Sequence, residues 1–296
     1  MTYKQFLLLL IPSALWGSSF IFMHELSPIF GPVLTATLRI VFASIFLFII
    51  FTITKYKTNF KRDWKLFLLI GLGNSAVPFT LYAYAALYLD SSISVILNST
   101  SPMFGALFGF LILRDKLTWN TYIGLILGTI GVGFVSSFAY IETEIEIYLS
   151  IFAALGAASL YGLTGAYVKK YAQHIEPKQL TFGTLTFAGI FLLILYGILF
   201  AFQAVPAIES TNLLRDFGLV ILFGILCTAT PYIIYYKLLQ DVGPVNALMV
   251  TYLMPVFGII WGVIFDEPIT VMMMFGLLII LLGIYVLNVK RKKKDA

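Results

Sequence analysis

Apolar runs of about twenty residues, the length an α-helix needs to cross the bilayer core, follow one another along almost the whole chain. That pattern leaves little room for a water-soluble domain. Only 11% of the 296 residues are charged, against about 25% in an ordinary soluble domain. The mean hydropathy of +0.97 agrees. The expected fold class is an all-α membrane protein with ten transmembrane helices. Approximate limits are 5–24, 33–54, 65–89, 92–113, 119–138, 147–168, 178–202, 215–239, 244–265 and 270–289. Short turns at Asp90-Ser91-Ser92 and Asp241-Val242-Gly243-Pro244 separate the third span from the fourth and the eighth from the ninth. The first run lacks a small-x-small cleavage site ahead of a polar region and reads as an uncleaved span.

The basic residues test this count. With the N-terminus inside, the inner side receives Lys4, Lys55, Lys57, Lys61, Arg62, Lys65, Arg114, Lys116, Lys169, Lys170, Lys178, Lys237 and the tail Lys290-Arg291-Lys292-Lys293-Lys294. Of the 19 Lys and Arg residues, only Arg215 falls outside and only Arg39 within a span. Outer loops carry acid instead: Glu142, Glu144, Glu146, Glu209, Asp266 and Glu267. A miscounted span would invert every later loop and destroy this positive-inside bias. Both termini are therefore expected in the cytoplasm. The net charge of +5 sits at membrane rims, where it sets topology, and gives no ground for a nucleic-acid partner. The tail reads as a stop-transfer signal.

A duplication lies beneath the spans. Pro78–Pro102 and Pro231–Pro255 align at an offset of 153, which also pairs Tyr82 with Tyr235, Phe104 with Phe257, Gly105 with Gly258 and Gly109 with Gly262. Earlier in each half the offset is 145: Trp16-Gly17 meets Tyr161-Gly162, Pro32 meets Pro177, and Ala43, Phe46 and Leu47 meet Ala188, Phe191 and Leu192. Later it is 152, pairing Thr118, Gly124 and Gly131 with Thr270, Gly276 and Gly283. The expected organisation is a first repeat over 1–140, a second over 147–289 and a basic tail over 290–296. Five spans is an odd number, so the second copy must start on the opposite side from the first. The halves are then inverted repeats, a recurring design of secondary transporters with the substrate site near the midplane.

These residues resemble the drug/metabolite transporter superfamily, specifically its EamA-type members with ten helices in two repeats. The likeness rests on Leu15-Trp16-Gly17-Ser18-Ser19-Phe20, Leu38-Arg39, Ser101-Pro102-Met103-Phe104, Arg114-Asp115-Lys116-Leu117-Thr118 and Gly124 to Gly131. In the second copy it rests on Met254-Pro255-Val256-Phe257, Asp266-Glu267-Pro268-Ile269-Thr270, Gly276 and Gly283. Members usually carry Gly-Glu before the short loop of the first copy, where this chain has Arg114-Asp115. The resemblance implies export or exchange of small metabolites, such as amino acids, across a plasma or inner membrane.

Candidate functional residues follow from what hydrocarbon penalises. A proline inside a helix frees the carbonyl four residues earlier, so Pro78, Pro102, Pro231 and Pro255 free those of Asn74, Asn98, Cys227 and Thr251. Such backbone should face protein or a wet cavity; the prolines read as helix kinks. Ser94, Asn98, Ser101 and Gly105 share one side of the fourth span, where close packing explains the small residues as well as a cavity does. Trp16 and Tyr82 lie away from their span ends, where interfacial anchoring would place aromatics; Tyr161 and Tyr235 are their repeat mates. The expected substrate cavity is Trp16, Asn74, Tyr82, Asn98, Ser101, Tyr161, Tyr235 and Thr251. Arg39 is an intramembrane charge, functional by default; its partner is either a substrate carboxylate or, the favoured reading, Glu25 or an outer carboxylate. His24 and Glu25 are placed at the outer end of the first span, Lys237 at the inner rim. Cys227 reads as a small packing residue.

No acidic residue lies deep in a span, so no carboxylate proton carrier is evident. His24 and His174 fall at opposite rims and cannot form a metal pair. No HExxH, phosphate loop or nucleophile motif is present, and no cofactor is expected. The sequence reads as a non-enzymatic secondary transporter for a small molecule, exporting or exchanging an amino acid or related compound by alternating access. A scramblase-like or channel-like bundle is the alternative. Nothing in the sequence sets the oligomeric state.

Overall fold

A computed structural model describes residues 2–56, 60–114, 119–136, 145–247 and 250–288. The basic tail, Asp115 to Thr118, and Glu142 and Glu144 lie outside these residues. Every described regular element is helical, and the elements group into ten spans. Spans 1 and 2 are Tyr3–Phe30 and Pro32–Ile53. Span 3 covers Phe60–Ala85 and span 4 Ser91–Leu113. Spans 5, 6 and 7 are Trp119–Ser136, Ile145–Tyr171 and Pro177–Ala201. Span 8 is built of Leu213–Gly224, Ile225–Ala229 and Thr230–Ala247. Spans 9 and 10 are Val250–Ile264 and Val271–Asn288. Large apolar side chains such as Phe48, Phe152 and Ile194 remain exposed on the outside of the bundle, as lipid-facing residues do.

Three boundaries differ from the sequence reading. Span 1 runs through Pro28 to Phe30, so His24 and Glu25 lie inside the helix and not at its end. Span 8 continues through Gly243 and Pro244 to Ala247, so the break expected near 240–243 is absent. Span 4 is interrupted outright where the sequence suggested a kink: Ser91–Asn98 and Ser101–Leu113 are separate helices. Pro102 thus sits in the first turn of the second piece, where its missing N–H is not needed.

The proline stretches share a backbone device. Leu72–Ala76 in span 3 and Ile225–Ala229 in span 8 are π-helical, and Pro78 and Pro231 stand second in the α-helices that follow. The two π segments match residue for residue at the offset of 153. Of the four prolines read as kinks, Pro255 alone lies well within its helix.

Close contacts are exchanged between the halves in the same register. A methyl group at Gly17 would come within 3.0 Å of backbone at Met254 and Gly258; one at Gly162 would come within 2.6 Å of backbone at Phe104 and Gly105. Span 1 therefore lies against span 9, and its counterpart span 6 against span 4. Span 1 also packs on span 8, and span 6 on span 3. Each first helix is buried by the other copy. Between spans 5 and 10, Gly131 presses on Gly276 and Gly124 on Gly283. That ordering makes the two helices antiparallel. A two-fold relation between them has its axis across the helices.

Arg114 and Asp266, paired at the offset of 152, both have left-handed backbone, with φ of 58° and 59°. This explains why glycine is usual at the first of these positions. After Asp266, Glu267 reaches across the halves. Its two carboxylate oxygens accept the backbone N–H groups of Ser91 and Ser92, at 2.8 and 2.9 Å, and cap span 4.

Candidate functional site: a central cavity between the halves

Spans 1, 2, 3, 4, 6, 8 and 9 enclose a central cavity of about 290 Å³. All eight residues expected to wall it do so: Trp16, Asn74, Tyr82, Asn98, Ser101, Tyr161, Tyr235 and Thr251. Arg39 and Pro102 join them; Pro78, Pro231 and Pro255 lie outside the lining. No Asp or Glu belongs to it.

The aromatic walls come as two images of one pair. Trp16 and Tyr235 have ring centroids 5.5 Å apart, and Tyr161 and Tyr82 are 6.2 Å apart. The repeat register carries Trp16 onto Tyr161 and Tyr82 onto Tyr235, so it exchanges one pair with the other. Trp16 also meets Tyr232 edge-on at 5.5 Å, and Phe20 meets Tyr82 at 5.2 Å.

Polar groups concentrate in the first-half wall. The Tyr82 hydroxyl donates to Asn98 Oδ1 at 2.8 Å. Ser101 Oγ donates to the Asn98 carbonyl at 2.6 Å and lies 3.4 Å from its Oδ1. The backbone acceptor left by the break before Pro102 is therefore served by a hydroxyl one turn on. Asn74 is hydrogen-bonded to Tyr232. Ser94 Oγ, from the same predicted stripe, is buried without a partner among the described residues.

Arg39 corrects the favoured sequence reading. It is 3% exposed and forms no ion pair with a carboxylate among the described residues. Nε donates to Thr228 Oγ1 at 2.7 Å, and Nη2 donates to the Cys227 carbonyl at 3.3 Å. The latter is the carbonyl that Pro231 leaves without its helical donor. Phe79 and Phe223 stack on the guanidinium at 3.7 and 4.5 Å, a cation–π arrangement that partly offsets desolvation. Nη1 has no partner. Glu25 is exposed on the far part of span 1. The sequence suggested a carboxylate because charge seeks charge; the bundle supplies a hydroxyl, a carbonyl and two ring faces instead.

Cys227 is buried, with Sγ 3.5 Å from Ser18 Oγ. Lys237 is exposed. His174 bonds Asp63 at 3.1 Å, far from His24 in the bundle.

Sequence reasoning missed Ser19, Phe20, Met23, Phe79, Tyr232 and Met254, which also line the cavity. Phe79 and Tyr232 each follow a bracketing proline and are partners at the offset of 153; that signal was available. Thr228 and Phe223, which hold Arg39, carry no such mark.

A profile of the EamA-like transporter family matches residues 4–137 and 148–289, once for each half. The chain is 26% identical over 292 residues to the uncharacterized transporter YvbV of Bacillus subtilis, covering 98% of this chain and 93% of that one. It is 24% identical to an uncharacterized transporter of Archaeoglobus fulgidus, covering 97% and 100% of the two chains. To the protein PagO of Salmonella typhimurium it is 24% identical, over 96% and 93%. A solved crystal structure shares the fold with a TM-score of 0.67 at 13% identity, covering 97% of this chain and 98% of that one.

Proposed function

Because the chain belongs to the EamA-like transporter family, within the drug/metabolite transporter superfamily, we propose that it exports or exchanges a small organic metabolite, an amino acid or related compound, by alternating access. The names of its relatives indicate a transporter rather than an enzyme. The observation that carries the proposal is the exchanged aromatic pair, Trp16–Tyr235 and Tyr161–Tyr82, facing one cavity from both halves. In this reading 1–140 and 147–289 are inverted copies. A site between inverted copies can open to one face when the halves hold unlike conformations, and to the other when they exchange them. Aromatic faces would bind the apolar part of a substrate, and Asn98, Ser101 and Tyr82 its polar part. The protein would sit in the plasma membrane with both termini in the cytoplasm, as the distribution of Lys and Arg supports.

Transport in liposomes tests this. Flux of labelled amino acids is expected to saturate and to show counterflow. Asn98→Leu and Tyr82→Ala are expected to lower it about tenfold or more, the effect of roughly 1.4 kcal/mol, and to lower folded yield by less. Wild-type flux in both variants would remove the cavity from the transport path; unsaturable flux would favour a channel, and phospholipid mixing a scramblase.

A further inference from the structure

Building on the reading of the central cavity as the transport site, we propose that it selects a monoanion: a single carboxylate on an apolar body, neutralised by Arg39. A buried guanidinium without an ionic partner is costly in a bilayer, yet here the cost is left standing. Arg39 is held by Thr228, by the Cys227 carbonyl and by two ring faces, all neutral. Its third nitrogen, Nη1, is buried and unpaired among the described residues, on a side chain that lines the cavity. A fixed planar donor of this kind is what carboxylate recognition uses.

The charge is also not part of the repeated scaffold. The equivalent of Arg39 is Thr184, and the same backbone contact forms there: Gly71 presses on Thr184 as Gly224 presses on Arg39. The bundle packs at that point without a cation.

The rest of the lining sets the class. With one cation and no carboxylate, the cavity matches a charge of minus one. A phosphate monoester, at about −1.5 to −2, would bury uncompensated charge. A cationic compound would face Arg39 with no counter-ion. The ammonium of an amino acid meets only rings, amides and hydroxyls, so it is not required for binding. A second cavity of about 390 Å³ shares Tyr232 with the first, and its lining again holds a cation, Lys178, and no acid.

The test uses the full chain in lipid nanodiscs and isothermal titration with near-isosteric probes: 3-phenylpropionate, 3-phenylpropanamide, 3-phenylpropylamine and phenylalanine. The carboxylate is expected to bind at least about tenfold more tightly than the amide or the amine, a gap of about 1.4 kcal/mol, and no more weakly than phenylalanine. Arg39→Gln is expected to remove the preference and Arg39→Lys to retain much of it. Should Arg39→Gln fail to fold, the comparison of probes on the wild type decides alone. Equal binding of amide and carboxylate, or phenylalanine binding tenfold more tightly than 3-phenylpropionate, overturns the proposal while leaving the cavity as the site. Binding by no probe, or binding that Tyr82→Ala leaves unchanged, overturns the cavity reading and this proposal with it.

Discussion

The middle of span 3 and the middle of span 8 solve one backbone problem in one way and then part company. Each has a glycine against a neighbouring helix, a five-residue π segment, and a proline second in the next helix. In span 8 the π segment offers the Thr228 hydroxyl and the Cys227 carbonyl to Arg39. In span 3 the equivalents are Ser75 and Asn74. Ser75 Oγ is buried without a partner, and Asn74 turns to Tyr232. The backbone device belongs to both copies; the electrostatic use of it belongs to one. Symmetry here accounts for the fold, and the departure from symmetry accounts for the chemistry of the cavity.

The comparison can be broken at the glycines. A methyl group at Gly71 would run into the Thr184 carbonyl, and one at Gly224 would lie 2.8 Å from the Arg39 carbonyl. Both neighbours are backbone and cannot step aside. Gly71→Ala and Gly224→Ala are each expected to destabilise by about 3 kcal/mol, the upper range for overpacking, read as lost folded yield and a lowered unfolding midpoint in detergent. Tolerance of both would mean the π segments do not depend on this approach. Next in size, Thr228→Val removes the acceptor of a buried charged donor and is expected to cost about 2 kcal/mol. Its counterpart Ser75→Ala removes a hydroxyl that bonds nothing and is expected to fall within about 0.5 kcal/mol of wild type. Equal losses at the two positions would show that the asymmetry around Arg39 carries no energy.

Much of this was legible in the sequence because hydrocarbon restricts the options. Length and hydropathy placed the spans, and offsets of 145 and 153 matched Gly17 to Gly162 and Tyr82 to Tyr235 before any contact was known. The eight cavity residues came from polar or aromatic types placed where lipid would penalise them. The π segments were not legible: Leu72–Ala76 and Ile225–Ala229 have compositions an α-helix accepts, and the extra residue per turn shows only in the backbone. Nor were the partners of Arg39, some 188 and 189 positions away. Pro102 and Pro244 part company, and only the second misled. One marks a true break and the other lies within a helix, and neighbouring packing decides between them. The cap on span 4 by Glu267 crosses the halves and follows from no local pattern.

The crossed arrangement of spans 1 and 6 bears on descent. Each is covered by the opposite copy, Gly17 by span 9 and Gly162 by span 4. A five-helix ancestor standing alone would have left the groove beside its fourth helix open to lipid. Two such chains, each lending its first helix to its twin, would have closed both grooves at once. Fused into one polypeptide, such an interlock would leave each half reliant on the other to cover its first helix.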